Sequence, residues 1–161
     1  EIGPRALGNR SILADPSNPK MKDKINNRIK GREPWRPFAP AILEEYAREY
    51  LLDVKNSPFM ILSSRVKSEK ANEIISATHI DGTVRPQTVS KKTNPLFWQL
   101  INEFYKIKKI PVLLNTSFNL AGEPIVCTPG HAISTFFRTG LDYLVLGDYL
   151  ISKKPIIDLQ K

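Results

Sequence analysis

Asn94-Pro95-Leu96-Phe97-Trp98-Gln99-Leu100-Ile101-Asn102-Glu103-Phe104-Tyr105-Lys106-Ile107-Lys108-Lys109-Ile110-Pro111-Val112-Leu113-Leu114-Asn115-Thr116-Ser117 is the stretch that decides the fold class. Asn94 has the side chain of an N-cap, and Pro95 suits the first helical position, where its missing N–H costs nothing. Leu96, Phe97, Leu100, Ile101, Phe104 and Tyr105 then fall on one face of a helix running to Ile107. The helix leads directly into a strand, Ile110 to Leu114. A second unit of the same kind follows: Thr128 caps, Pro129 opens a helix that runs to about Thr139, Gly140 ends it, and Tyr143 to Leu146 reads as a buried strand.

Upstream, Arg10 to Ala14 reads as a short strand stopped by Asp15-Pro16. A helix follows from about Lys20 to Lys30, with Met21, Ile25 and Ile29 as its narrow apolar stripe and Gly31 as its stop. Pro34, Pro37 and Pro40 forbid a helix and predict an extended path into a strand near Ala41 to Leu43. Glu44 to Leu52 looks helical and Phe59 to Val66 looks like a strand. Residues 67–82 are polar, a loop followed by a turn at Asp81-Gly82, and Val84 to Val89 alternates as another strand. A short strand and a tail close the chain. Strands and helices intersperse without strict βαβ alternation, so a mixed sheet covered by helices is expected.

The 161 residues suit one domain, and 41% hydrophobic with 25% charged residues excludes collagen-like, coiled-coil and wholly disordered classes. No apolar run approaches the roughly 20 residues of a membrane span. The opening Glu1-Ile2-Gly3-Pro4-Arg5 has no signal-peptide pattern and no initiator Met, and reads as the start either of a processed chain or of a piece of something longer. A single Cys, Cys127, excludes an internal disulfide framework and fits a cytoplasmic setting. The net charge is +8, and residues 1–36 carry more than half of that excess, nine Lys or Arg against four acids. The cations are separated by Gly, Asn, Pro and apolar residues, which suits a folded pocket for an anion better than a polybasic tail.

The standard nucleotide cradles are missing, His79 and His131 have no metal-site spacing, and no Ser-His-Asp or Cys-His pattern stands out. Chemistry here would proceed by positioning and electrostatics. Four segments join special backbone residues to phosphate-binding side chains. Gly3 to Ser11 presents Arg5, Asn9 and Arg10, or is a solvated loop. Lys30 to Arg36 holds Arg32 and Arg36 on a proline-bounded path beyond Lys30, where Arg36 could instead pack beside Trp35. Thr78 to Thr88, with His79, is a turn feeding a strand that carries Arg85, which could equally be a surface residue. Pro111 to Asn119 is an apolar strand ending in Asn115, Ser117 and Asn119, which gather ligands in open sheets but also make turns. Together the four describe a pocket for a polyanion.

Gly-Pro-Arg-Ala-Leu-Gly-Asn-Arg-Ser-Ile at 3–12, Asn27 to Pro40, Thr-His-Ile-Asp-Gly-Thr-Val-Arg-Pro-Gln-Thr-Val at 78–89 and Leu-Asn-Thr-Ser-Phe-Asn at 114–119 resemble the C-terminal domain of the carbamoyltransferase family. That family includes the nodulation-factor and antibiotic-tailoring O-carbamoyltransferases, and the resemblance runs over nearly the whole chain. It implies an α+β, three-layer YrdC-like fold with a twisted mixed sheet, as a single domain over residues 1–161. It also implies a preceding actin-like ATPase-superfamily domain in the full-length protein. The implied chemistry makes carbamoyl adenylate from carbamoyl phosphate and ATP, with Mg2+ arriving on ATP, no metal site of its own and no membrane partner; the preceding domain would then carbamoylate an acceptor hydroxyl. Carried over by position, Lys30, Arg36 and Arg85 are the catalytic residues, and Arg5, Asn115 and Ser117 bind substrate and nucleotide. Asn9, Arg10, Arg32, His79 and Asn119 join them as further binding candidates. Pro86 follows Arg85 where family members often have a small or aliphatic residue, and is expected only to stiffen the strand. The alternative is a module of the same fold that binds double-stranded RNA, motivated by the charge; steep salt dependence would mark it.

Overall fold

The computed structural model describes residue 3 and residues 5–154. Pro4 of the first basic segment and the tail from residue 155 lie outside them. The sheet at the centre has four strands, β1 (Ser11–Ala14), β6 (Val112–Ser117), β2 (Ala39–Leu43) and β5 (Gln87–Val89), in that spatial order. The β1–β6 and β6–β2 pairs are antiparallel and β2–β5 is parallel. The fold is therefore α+β around a mixed sheet.

Helix α3 (Pro95–Lys108) covers one face: Phe97 and Ile101 pack with Ala41, Leu43, Val89 and Leu113. The other face carries Ile12 and Leu114. These pack with Ile25 of α1 (Met21–Ile25), with Ile29 in the turn after it, and with Ala132 and Phe136 of α4 (Pro129–Arg138). Both long helices start as their sequences require. Asn94 accepts the Phe97 N–H at 3.4 Å and Thr128 the His131 N–H at 3.2 Å.

Several local expectations need correction. The predicted helix over residues 20–30 is α-helical only as far as Ile25; Asn26–Lys30 is a π-helical turn, closed by Gly31 in the left-handed region at φ 58°. The prolines do not keep the next segment extended throughout, since Arg36 N–H bonds the Glu33 carbonyl at 3.2 Å and Pro34 sits inside the resulting turn. The helix expected over 44–52 is a 3-10 turn, Glu44–Tyr46, followed by the single turn α2 (Ala47–Tyr50). Between Phe59 and Val66 only β3 (Ser64–Arg65) is a strand, because Phe59 and Ile61 find no core and remain exposed. Residues Ser68–Ala77, expected as loop, form a kinked 3-10 segment held by Tyr50 Oη on the Glu73 carboxylate, itself 2.7 Å from Lys70 Nζ.

Pro86 does more than stiffen a strand. Without an N–H it ends the pairing, so the expected strand over 84–89 divides. β4 (Thr83–Val84) pairs β3, and β5 joins the main sheet. On α3, Leu96 and Leu100 are exposed rather than buried. The closing strands β7 (Tyr143–Leu146) and β8 (Tyr149–Ser152) form a hairpin in which Leu144 alone of β7 is buried, because no third strand among the described residues covers the face bearing Tyr143 and Val145.

Candidate functional site

Strand β6 organises the site. Side chains alternate along a strand, so Leu113, Asn115 and Ser117 share the α3 face, about 7 Å apart in steps of two residues. Leu113 meets the core of α3, and the face turns polar toward the strand's carboxyl end.

At that end lies Lys30, 3% exposed. The three N–H groups of its ammonium are shared among four acceptors, the Ser117 carbonyl, Ser117 Oγ at 3.1 Å, the Asn119 carbonyl at 3.1 Å and Asn119 Oδ1 at 2.6 Å. All four acceptors are neutral. No described carboxylate pairs with it, and burial, with Arg32 and then Arg36 nearby, pushes its pKa down to about 7. An ammonium whose charge no carboxylate cancels leaves a positive potential at this end of the strand, which favours an anion alongside even though its N–H groups are turned to protein oxygens. Its position comes from the π turn and from the Ala121 N–H, which bonds the Lys30 carbonyl at 3.0 Å.

Arg32 and Arg36 stand on the loop just beyond. Their arrangement depends on Asn26, a residue not singled out in the sequence, which is fully buried. Its Oδ1 accepts from Arg32 Nε at 2.8 Å, and its Nδ2 donates to the Pro34 and Arg36 carbonyls at 3.3 and 3.5 Å. Arg32 also lies 4.6 Å from the Phe38 ring centroid, so its guanidinium serves the scaffold. Arg36 is exposed, with only Glu33 at 3.8 Å, and can turn to a ligand. The signal for Asn26 was an amide lodged between the apolar Ile25 and Ile29. Asn26→Ala is expected to cost about 1–3 kcal/mol, as buried donors and acceptors lose their partners. Urea unfolding checks it, and a loss below about 0.5 kcal/mol would show that the amide does not hold the loop.

Asn115, 1% exposed, anchors the second part of the site. Its Nδ2 donates to the Ala6 carbonyl at 3.1 Å and to Gln87 Oε1 at 2.9 Å, and its buried Oδ1 has no partner. Gln87 Nε2 and Asn94 Nδ2 both donate to the Leu7 carbonyl, at 3.0 and 3.3 Å. Three amides thus pin the loop that carries Arg5. Arg5 lies within electrostatic range of Arg85, whose Nε is buried without a partner. Arg85 in turn acts on His79, which is half-buried, with Nδ1 3.1 Å from Thr83 Oγ1.

The predicted residues therefore gather in two groups: Lys30, Arg32, Arg36, Ser117 and Asn119, and Arg5, Arg85, His79 and Asn115. Arg10 Nη1 donates to the Val126 carbonyl at 3.2 Å. Asn9 is exposed on the first loop. A Cys-His contact that the sequence reading passed over is present, Cys127 Sγ lying 3.3 Å from His131 Nδ1 across the exposed start of α4. The signal was their spacing of four residues around an N-cap.

Residues 1–153 match the family described as Carbamoyltransferase C-terminus. The chain belongs to that family. It is 54% identical to nodulation protein NolO of Bradyrhizobium diazoefficiens over 96% of this chain and 29% of the relative. It is 52% identical to nodulation protein NolNO of Sinorhizobium fredii over 96% of this chain and 23% of the relative. An uncharacterized protein of Methanocaldococcus jannaschii is 49% identical over 95% of this chain and 29% of its own length. This carbamoyltransferase C-terminus therefore spans less than a third of the curated relatives it matches. No helix among its described residues is long and apolar enough to cross a membrane.

Proposed function

We propose that this chain binds carbamoyl phosphate and ATP and forms carbamoyl adenylate, as one part of an O-carbamoyltransferase whose preceding actin-like domain carbamoylates an acceptor hydroxyl. The observation that carries the reading is Lys30, a buried ammonium surrounded by neutral acceptors with Arg32 and Arg36 beside it. In this scheme water cleaves carbamoyl phosphate to carbamate and phosphate. A carbamate oxygen then attacks the α-phosphorus of ATP, and the bond to the departing pyrophosphate breaks. The transition states are anionic, and Lys30, Arg36 and Arg85 stabilise their charge without a protein nucleophile. Arg5, Ser117 and the unpartnered Asn115 Oδ1 serve binding, the last as an acceptor for a carbamoyl N–H. The described residues offer no group of three or more His, Cys, Asp or Glu side chains placed together for a metal. Mg2+ enters only as a companion of the ATP phosphates, and no step is assigned to it.

The chain alone is expected to catalyse ATP–pyrophosphate exchange that requires carbamoyl phosphate, and to carbamoylate no alcohol. Calorimetry with each ligand tests the substrate class. Arg36→Ala should weaken carbamoyl phosphate binding by roughly 10- to 100-fold, the worth of a charge-assisted hydrogen bond, and Lys at that position should recover part of it. Binding of duplex RNA with neither small ligand bound would reverse the reading in favour of the RNA module.

A further inference from the structure

A cleft of about 330 Å³ opens between α1 and the 3-10 segment, lined in part by Pro19, Lys22, Asn72, Ser76, Thr78 and His79. The Ser76 and Thr78 hydroxyls are occupied by the Asn18 and Ile74 carbonyls, which leaves Lys22, Asn72 and His79 to face a ligand. Lys24, two residues further along α1, is paired to Asp142 at 2.8 Å, whereas Lys22 has no such acid among the described residues. Thr83 Oγ1 donates to Asp81 Oδ1 at 2.7 Å and so accepts from His79 Nδ1. Nε2 is then available to donate once the ring is protonated. Three charged groups act on the imidazole: Asp81 in its own turn, Arg85 beyond β4 and Lys22 from α1.

We propose that this cleft is a second phosphoryl subsite, in which Lys22 and protonated His79 hold an anion. The inference rests on the carbamoyl adenylate reading and adds to it a seat for the departing pyrophosphate. Burial, with Arg85 and Lys22, lowers the His79 pKa against the pull of Asp81, so an anion arriving there draws in a proton and binds more tightly as pH falls.

The test is calorimetry of the chain with inorganic pyrophosphate, inorganic phosphate and carbamoyl phosphate in turn. Lys22→Glu should weaken pyrophosphate about 10-fold or more and carbamoyl phosphate less than about 2-fold, as a direct charged contact differs from a screened one. Lys24→Glu makes the same charge change on the same helix and should weaken neither. His79→Gln should flatten the gain in pyrophosphate affinity between about pH 8 and pH 6. Equal losses in Lys22→Glu and Lys24→Glu, or phosphate bound as tightly as pyrophosphate, would overturn the subsite. If carbamoyl phosphate fails to bind while pyrophosphate still depends on Lys22, the Lys30 reading falls and the subsite stands.

Discussion

Lys30→Met is expected to abolish carbamoyl phosphate binding, with a loss of roughly 100-fold or more, while the chain stays folded. Methionine keeps the length and apolar stem of lysine, so it can fill the same buried space while the charge is removed. The carbonyls of Ser117 and Asn119 lose their donor, which offsets part of what is gained by removing a buried cation. Direct titration with carbamoyl phosphate checks the prediction. Wild-type affinity in Lys30→Met would show that the anion binds elsewhere.

The same substitution has a pH signature. The folded pKa of Lys30, about 7, lies below its ordinary value of 10.5, so between those limits the unfolded chain binds more protons than the folded one. Its contribution to stability therefore rises with pH across that window, by roughly a kcal/mol per pH unit, and is flat at its lowest below about pH 7. Subtracting unfolding free energies of Lys30→Met from wild type isolates this slope, because all other titrating groups are shared. A flat difference from pH 7 to 10 would mean that Lys30 is solvated.

Gly8→Ala carries the second large effect. A Cβ at position 8 would stand 2.7 Å from Cγ and Cδ1 of Phe97, and the backbone φ of +119° is one that side chains rarely adopt. Phe97 cannot retreat, being 5% exposed in the core beneath α3. The loop cannot lift either, because Ala6 and Leu7 are held by Asn115, Gln87 and Asn94, and the Gly8 N–H by Ser11 Oγ at 3.0 Å. Strain and overpacking together should cost about 2–4 kcal/mol, lowering Tm by roughly 5–15 °C for a chain of this size. Adding Phe97→Leu should return part of the loss, so the double variant is more stable than the two single costs predict. A Tm within about 2 °C of wild type would refute the close packing.

Elements that depend on local chemistry could be read directly from the residues. Asn94-Pro95 and Thr128-Pro129 start helices because a side-chain acceptor and a missing N–H satisfy the helix end whatever lies around it. The apolar run Val112-Leu113-Leu114 had to be a buried strand, and Gly31 had to stop a helix. Motifs spread along the chain also sufficed to identify its family. Tertiary structure decided what depends on partners distant in sequence. Pro86 could end one pairing and begin another only because β2 offered β5 an edge, and Leu96 and Leu100 stay exposed because no element among the described residues covers that face of α3. The positioning residues Asn26 and Gln87 were not evident from the chain alone, since an amide reveals its role only through the carbonyls it reaches. For Lys30, residue type and spacing marked a cation that could bind phosphate. Only the folded chain, by burying it among Ser117 and Asn119 with no carboxylate at hand, decided that its charge goes uncancelled.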